Sequence, residues 1–170
     1  MKKNSDFLNK RNKLSKIKFS KENNYFYLKN KMILDENIEK VFRFFETPKN
    51  LNLITPSWLN FKIITPVASK TYKDQEIEYK LTLHKITFKW KSKITEYKKN
   101  ISFCDKQIKG PYLFWEHSHL FSKLEEKTLM KDVVKYKVIF GSLTNKLIVK
   151  KDLRRIFDYR QKKIQEIFKK

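Results

Sequence analysis

Apolar and polar positions change rhythm several times along this chain. Up to about residue 24 the apolar positions are sparse: Phe7, Leu8, Leu14, Ile17 and Phe19 stand among lysines and asparagines with no sustained period. That predicts a flexible basic arm over residues 1–24, ahead of a domain spanning residues 25–170. From Tyr25 an extended run carrying Tyr25, Tyr27, Met32, Ile33 and Leu34 predicts a strand. Asp35 offers an N-cap, and Ile38, Val41, Phe42 and Phe45 recur at helical spacing until Pro48 stops them. A second short helix is expected over residues 49–55, closed by Pro56.

The middle of the chain alternates with period two or is rich in β-branched and aromatic residues. Strands are expected over residues 61–67, 76–84, 88–97, 101–108, 112–124 and 128–138. The short polar separators suit antiparallel hairpins, because parallel crossovers need more chain. The last stretch, residues 143–170, places Leu147, Ile148, Leu153, Ile156, Phe157, Ile164, Ile167 and Phe168 on one face of a long helix, with Lys, Arg, Asp and Gln opposite. The order is strand, two short helices, a run of strands, one long helix: an α+β fold with no internal repeat.

Composition narrows the function classes. At 170 residues the chain fits one domain, and 40% hydrophobic residues, with 14 Phe and 8 Tyr, are too many for a disordered polymer. With 2 Gly there is no Gly-rich phosphate cradle, neither P-loop nor dinucleotide fingerprint. Cys104 is the single cysteine, which excludes an internal disulfide and a multi-cysteine zinc site and fits a reducing cytoplasm. Asp6, Asn9, Lys10, Arg11 and Asn12 interrupt the N-terminus before an apolar core develops, so no signal peptide or anchor is expected. The net charge of +22 comes mostly from lysine spread along the chain, accompanied by many Asn and Ile, a composition that AT-rich codon usage produces by itself. A functional patch would be concentrated and would use arginine for bidentate phosphate grips. Its densest form here is Arg154, Arg155 and Arg160 beside Lys150, Lys151, Lys162 and Lys163.

Three spaced stretches carry a resemblance: residues 51–59 (LNLITPSWL), residues 103–107 (FCDKQ) and residues 110–121 (GPYLFWEHSHLF), with Asp132, Tyr136 and residues 156–160 (IFDYR). They are similar to a bacterial subfamily of the START-like (SRPBCC, Bet v-type) superfamily, loosely labelled polyketide cyclase or dehydrase-like, marked by a GPYxxWxHxHxF pattern. The resemblance spans residues 25–168. It implies a helix-grip fold: a curved antiparallel sheet of about seven strands, two short helices after strand 1, and the long C-terminal helix over an apolar cavity. It implies a cavity but no reaction, since members of the superfamily include lipid carriers, quinone binders, aromatic cyclases and proteins without a known ligand. Trp58, Phe103, Leu113, Trp115, His117, His119, Phe121, Asp132, Tyr136 and Phe157 are the residues expected at the ligand.

Strand alternation puts Leu113, Trp115, His117, His119 and Phe121 on one face. His117 and His119 lie about 7 Å apart at Cα, close enough to converge on one ion, with Asp132, Asp105 or His84 as a third ligand. A histidine hydrogen-bonded to a neighbour is the commoner arrangement, so neither a metal nor a cofactor is expected. Between the two stands a polar patch in which His117, His119 and Asp132 orient a ligand's head group. The same three residues are the candidates for general acid–base catalysis. Cys104, flanked by Asp105, reads as a small buried hydrophobe. Trp58, Trp90 and Trp115 with Tyr79, Phe61, Phe88 and Phe114 are either stacking platforms for single-stranded nucleic acid or core and cavity wall.

The leading expectation is a cytoplasmic protein that binds or carries a hydrophobic small molecule such as a lipid, quinone, pigment or polyketide, with peripheral contact to anionic membranes through Lys and Arg. The alternatives are a cyclase or dehydrase-type enzyme built on His117, His119 and Asp132, and charge-driven binding to nucleic acid or an anionic membrane. Binding is expected over catalysis, and nucleic acid is not the expected partner.

Overall fold

The structure, a computed structural model, describes residues 16–169. Eight strands form one antiparallel sheet: β1 (Lys18–Glu22), β2 (Tyr25–Leu34), β3 (Lys62–Ile63), β4 (Glu76–Leu83), β5 (Ile86–Lys98), β6 (Ser102–Lys109), β7 (Phe114–Leu124) and β8 (Lys127–Lys137). Their order across the sheet is β1-β2-β8-β7-β6-β5-β4-β3, so β3 to β8 are a meander and the N-terminal hairpin docks on its last strand. Between β2 and β3 lie α1 (Ile38–Glu46) and two 3-10 helices (Pro48–Ile54 and Ser57–Leu59). A continuous helical stretch closes the chain: α2 (Gly141–Thr144), a π-helical turn (Asn145–Val149) and α3 (Lys150–Ile167). Among the described residues no helix is long and apolar enough to cross a membrane.

The α+β helix-grip architecture expected from the pattern is present, with differences of physical origin. The sheet starts earlier than Tyr25. Residues 1–15 of the expected arm lie outside the described residues, but Lys18–Glu22 is paired with Tyr25–Lys29 through an Asn23-Asn24 turn. Both asparagines have positive φ, 47° and 64°, which suits the twist of a two-residue hairpin. An edge strand buries little, so its alternation is faint: Ile17 just ahead of it is buried, Phe19 half-buried, and the remainder exposed. With this strand the sheet has eight members. The expected strand over residues 61–67 shrinks to Lys62–Ile63, and the second short helix is a 3-10 turn started by Pro48. The N-cap of α1 is Asn37, whose Oδ1 accepts the Lys40 N–H at 2.9 Å, rather than Asp35.

The C-terminal helix begins at Gly141 and buries Leu153, Phe157, Ile164 and Phe168 as expected, whereas Leu147, Ile148 and Ile167 are exposed. The π turn explains the first two. Its extra residue shifts the helical phase, so Asn145 turns inward and accepts the Tyr136 hydroxyl at 2.7 Å.

The interior falls into two apolar clusters. One holds Phe26, Leu28, Trp90, Trp115, Val134, Tyr136, Leu153 and Phe157; the other holds Met32, Leu34, Val41, Phe42, Phe45, Phe103, Phe121, Met130, Ile164 and Phe168. Each inward-facing row passes from one cluster to the other through a polar residue. On β2 it is Asn30, on β8 Asp132, on β7 the pair His117 and His119, and on α3 the pair Arg160 and Gln161. A buried polar belt therefore crosses the middle of the molecule.

Candidate ligand-binding site

The belt is assembled by strand register. Asp132 lies opposite Asn30 on one side and His119 on the other, while Asp105 on β6 lies opposite His117. Asp132 is fully buried, and its carboxylate hydrogen-bonds two neighbours and closely approaches a third. Asn30 Nδ2 donates to Oδ2 at 3.1 Å, His117 Nε2 hydrogen-bonds Oδ1 at 3.0 Å, and His119 Nδ1 lies 3.0 Å from the same Oδ1, off the direction of a hydrogen bond. Gln161 on α3 donates to Asn30 Oδ1, tying the helix to the sheet. On the other side of the imidazoles, Asp105 Oδ2 stands 3.7 Å from His117 Nδ1 and 3.7 Å from His119 Nε2. Ser92 Oγ donates to Asp105 Oδ1 at 3.4 Å and accepts the Trp90 indole N–H at 3.0 Å.

These surroundings separate the two histidines electrostatically. Burial drives the His117 pKa down to about 4, reinforced by His119 and only partly offset by Asp132. Burial also opposes charge on His119, but the Asp105 and Asp132 carboxylates outweigh it and raise its pKa. For both aspartates burial raises the pKa and the imidazoles more than compensate, so Asp105 is lowered and Asp132 lies well below its ordinary value. The belt holds two carboxylates, a neutral His117 and a His119 that is readily protonated.

Beside the belt, between the sheet and α3, is a cavity of about 210 Å³. Its walls are Tyr79, Leu81 and Leu83 of β4, Trp90, Ser92 and Ile94 of β5, Phe103 and Asp105 of β6, Trp115, His117 and His119 of β7, Leu153, Ile156, Phe157 and Arg160 of α3, and residues of α1 and the first 3-10 helix. Arg160 is buried between the Phe45 and Phe157 rings, its guanidinium carbon 5.9 Å from each centroid, and its Nε has no hydrogen-bond partner. The turn at Gly110 and Pro111 brings Tyr112 to the cavity. Gln107 spans that turn, donating to the Tyr112 carbonyl at 2.7 Å, and its amide lies against Gly110, where a Cβ would displace it.

This architecture has counterparts among solved structures. A Mycobacterium smegmatis protein superimposes with a TM-score of 0.66 at 9% identity, covering 91% of this chain and 97% of its own. An Arthrobacter aurescens protein gives a TM-score of 0.66 at 11% identity (88% and 91% covered), and ginseng major latex-like protein 151 gives 0.64 at 12% (85% and 97%). The fold is the Bet v1-like helix grip. No protein-family model matches the chain, and no curated protein does.

Within the helix grip, the expected ligand residues divide into groups. Phe103, Trp115, His117, His119 and Phe157 line the cavity. Asp132 does not; it sits behind the histidines and orients His117. Phe121 is buried in the second apolar cluster and Tyr136 in the first, both away from the cavity wall. Leu113 precedes β7 in the turn after Pro111, outside the alternation assumed for it, and is 59% exposed. Trp58 is on the surface, edge-on to Tyr159 at 5.4 Å and under the Arg155 guanidinium at 4.4 Å. Cys104 is buried, with its thiol pKa raised by burial, as a small hydrophobe should be. Arg160, Ser92, Asn30 and Gln161 were not expected here. Asn30 had a signal, a polar residue in phase with Phe26, Leu28, Met32 and Leu34. Arg160 had a similar one, three residues after Phe157 and four before Ile164, masked by the basic residues around it.

Proposed function

We propose that the protein binds an amphipathic small molecule, with the apolar body against the aromatic wall and an acidic head group at Arg160 and the neighbouring histidines. The observation that carries this reading is the unpaired Nε of Arg160, a buried guanidinium on the wall of an otherwise apolar cavity. A buried guanidinium whose Nε–H makes no hydrogen bond carries a desolvation cost that an incoming carboxylate or phosphate would offset. The volume sets the scale. An engineered cavity of about 150 Å³ holds benzene, so about 210 Å³ accommodates one or two fused rings, or the head end of a longer chain whose tail leaves through the mouth. Such a ligand fits the carrier or sensor role better than the cyclase role, because Asp132 does not reach the cavity and serves the histidines from behind.

The test is native mass spectrometry of the purified full chain, followed by organic extraction and identification of what is bound. A stoichiometric acidic amphiphile, lost in Arg160→Met while a neutral analogue's affinity is unchanged, is the expected result. A protein that is empty and takes up no fatty acid or aromatic acid from a mixed panel overturns it.

A further inference from the structure

The sequence offered Asp132, Asp105 or His84 as a third ligand for the histidine pair, and the register of β6 and β7 brings Asp105 to it. We propose that Asp105, His117 and His119 bind one divalent transition-metal ion of the zinc class, with a coordination position open to the cavity. One ligand atom from each of the three residues lies within 4.8 Å of the others. Asp105 Oδ2 is 3.7 Å from His117 Nδ1 and 3.7 Å from His119 Nε2, too far for hydrogen bonds. Those separations are close to what a shared ion produces: ligands about 2.0–2.2 Å from a tetrahedral centre stand roughly 3.3–3.6 Å apart. Two imidazoles and one carboxylate make a borderline donor set, suited to Zn²⁺ and its neighbours and unsuited to Ca²⁺ or Mg²⁺.

The groups behind the ligands fit the same reading. Asp132 Oδ1 lies 3.0 Å from the other nitrogen of each imidazole, off the hydrogen-bond direction for His119 and hydrogen-bonded to His117, whose ring it orients. This is the carboxylate–histidine support that metal-ligating histidines commonly have. Asp105 is held likewise, its Oδ1 accepting from Ser92 while Oδ2 faces the rings. Charge points the same way. Asp132 and Asp105 are two carboxylates within the belt, and among the described residues Arg160 is the arginine whose charge acts on both. A divalent ion would reverse that imbalance, and Arg160 on the same wall would then favour an anionic group at the open position. The site does not depend on what occupies the rest of the cavity.

The experiment is to strip the full chain with chelator and titrate it with Zn²⁺ by calorimetry and with Co²⁺ by visible absorption. One equivalent of Zn²⁺ should bind with micromolar or tighter affinity, and Co²⁺ should show the intense d–d bands of a low-coordinate site. Asp105→Asn should weaken Zn²⁺ binding at least about 100-fold with an unchanged circular dichroism spectrum, and His119→Gln should do the same. His84→Ala, which removes the surface histidine paired with Asp152 at 2.7 Å, should leave binding intact. Absence of stoichiometric binding, or binding that survives Asp105→Asn and His119→Gln but falls in His84→Ala, overturns the proposal.

Discussion

Glu46 ends α1 with its side chain buried, and it meets the hydroxyl of Tyr97 on β5, which donates to its Oε2 at 2.6 Å; Lys70 Nζ lies 4.0 Å from the other oxygen. Burial and this carboxylate push the Tyr97 pKa up to about 12. A folded pKa above the ordinary value near 10 means that the protonated tyrosine stabilises the fold. That contribution is complete below about pH 10 and is lost as pH rises through about 12. Lysines titrate in the same window, so the variant isolates the effect. Urea midpoints should favour the native protein over Tyr97→Phe at about pH 8, and the gap should close towards about pH 12. Single residues such as these were legible in sequence only through phase. Asp132 and Asn30 interrupt rows of inward apolar residues, whereas Glu46 and Tyr97 are brought together by a contact across 51 positions that no local pattern records.

At the scale of elements, the pattern worked where an element buries one face and failed where it buries little. α1, β5 to β8 and the body of α3 have strong periodicity because they cover the core. β1 has one half-buried side chain and no such signal, yet it is anchored: Phe19 lies under Lys150 and Arg154, and Lys21 Nζ donates to Ser142 Oγ at 3.0 Å on α2. Ile17, 3% exposed, is its largest investment in the core. Ile17→Ala should therefore destabilise the fold by about 2–4 kcal/mol in urea unfolding, whereas an arm outside the sheet would show no change. The phase of the last helix was misread at its start for a different reason. A π turn is set by tertiary demand, here the Tyr136 hydroxyl meeting Asn145, and leaves no mark in hydrophobic spacing.

For the whole molecule, the question is whether a net charge of +22 acts locally or everywhere. On the outer side of α3, Lys150, Lys151, Arg154, Arg155 and Lys162 share a surface with the exposed Trp58, a basic face with an aromatic residue suited to a membrane interface. The full chain should co-sediment with phosphatidylserine vesicles and be released as salt rises. Reversing Lys151 and Arg155 to Glu should lower the affinity about tenfold or more, at about 1 kcal/mol per basic residue near the surface. Reversing the exposed Lys89 and Lys99 should change it less; equal losses would show that the charge acts diffusely.

The polar belt also acts as a seam. It interrupts the inward apolar rows of β2, β8 and α3, so the cluster beneath α1 and the cluster around Trp90 and Trp115 are adjoining cores that share strands. Cooperativity between such cores depends on what spans their boundary, and here the span is a hydrogen-bonded chain from Gln161 through Asn30 and Asp132 to His117. A ligand or ion held by Asp105, His117, His119 and Arg160 would lengthen that span across β6, β7 and α3. Occupancy would then show as amide exchange: two blocks of protection that open separately in the empty protein would merge into one when the site is filled.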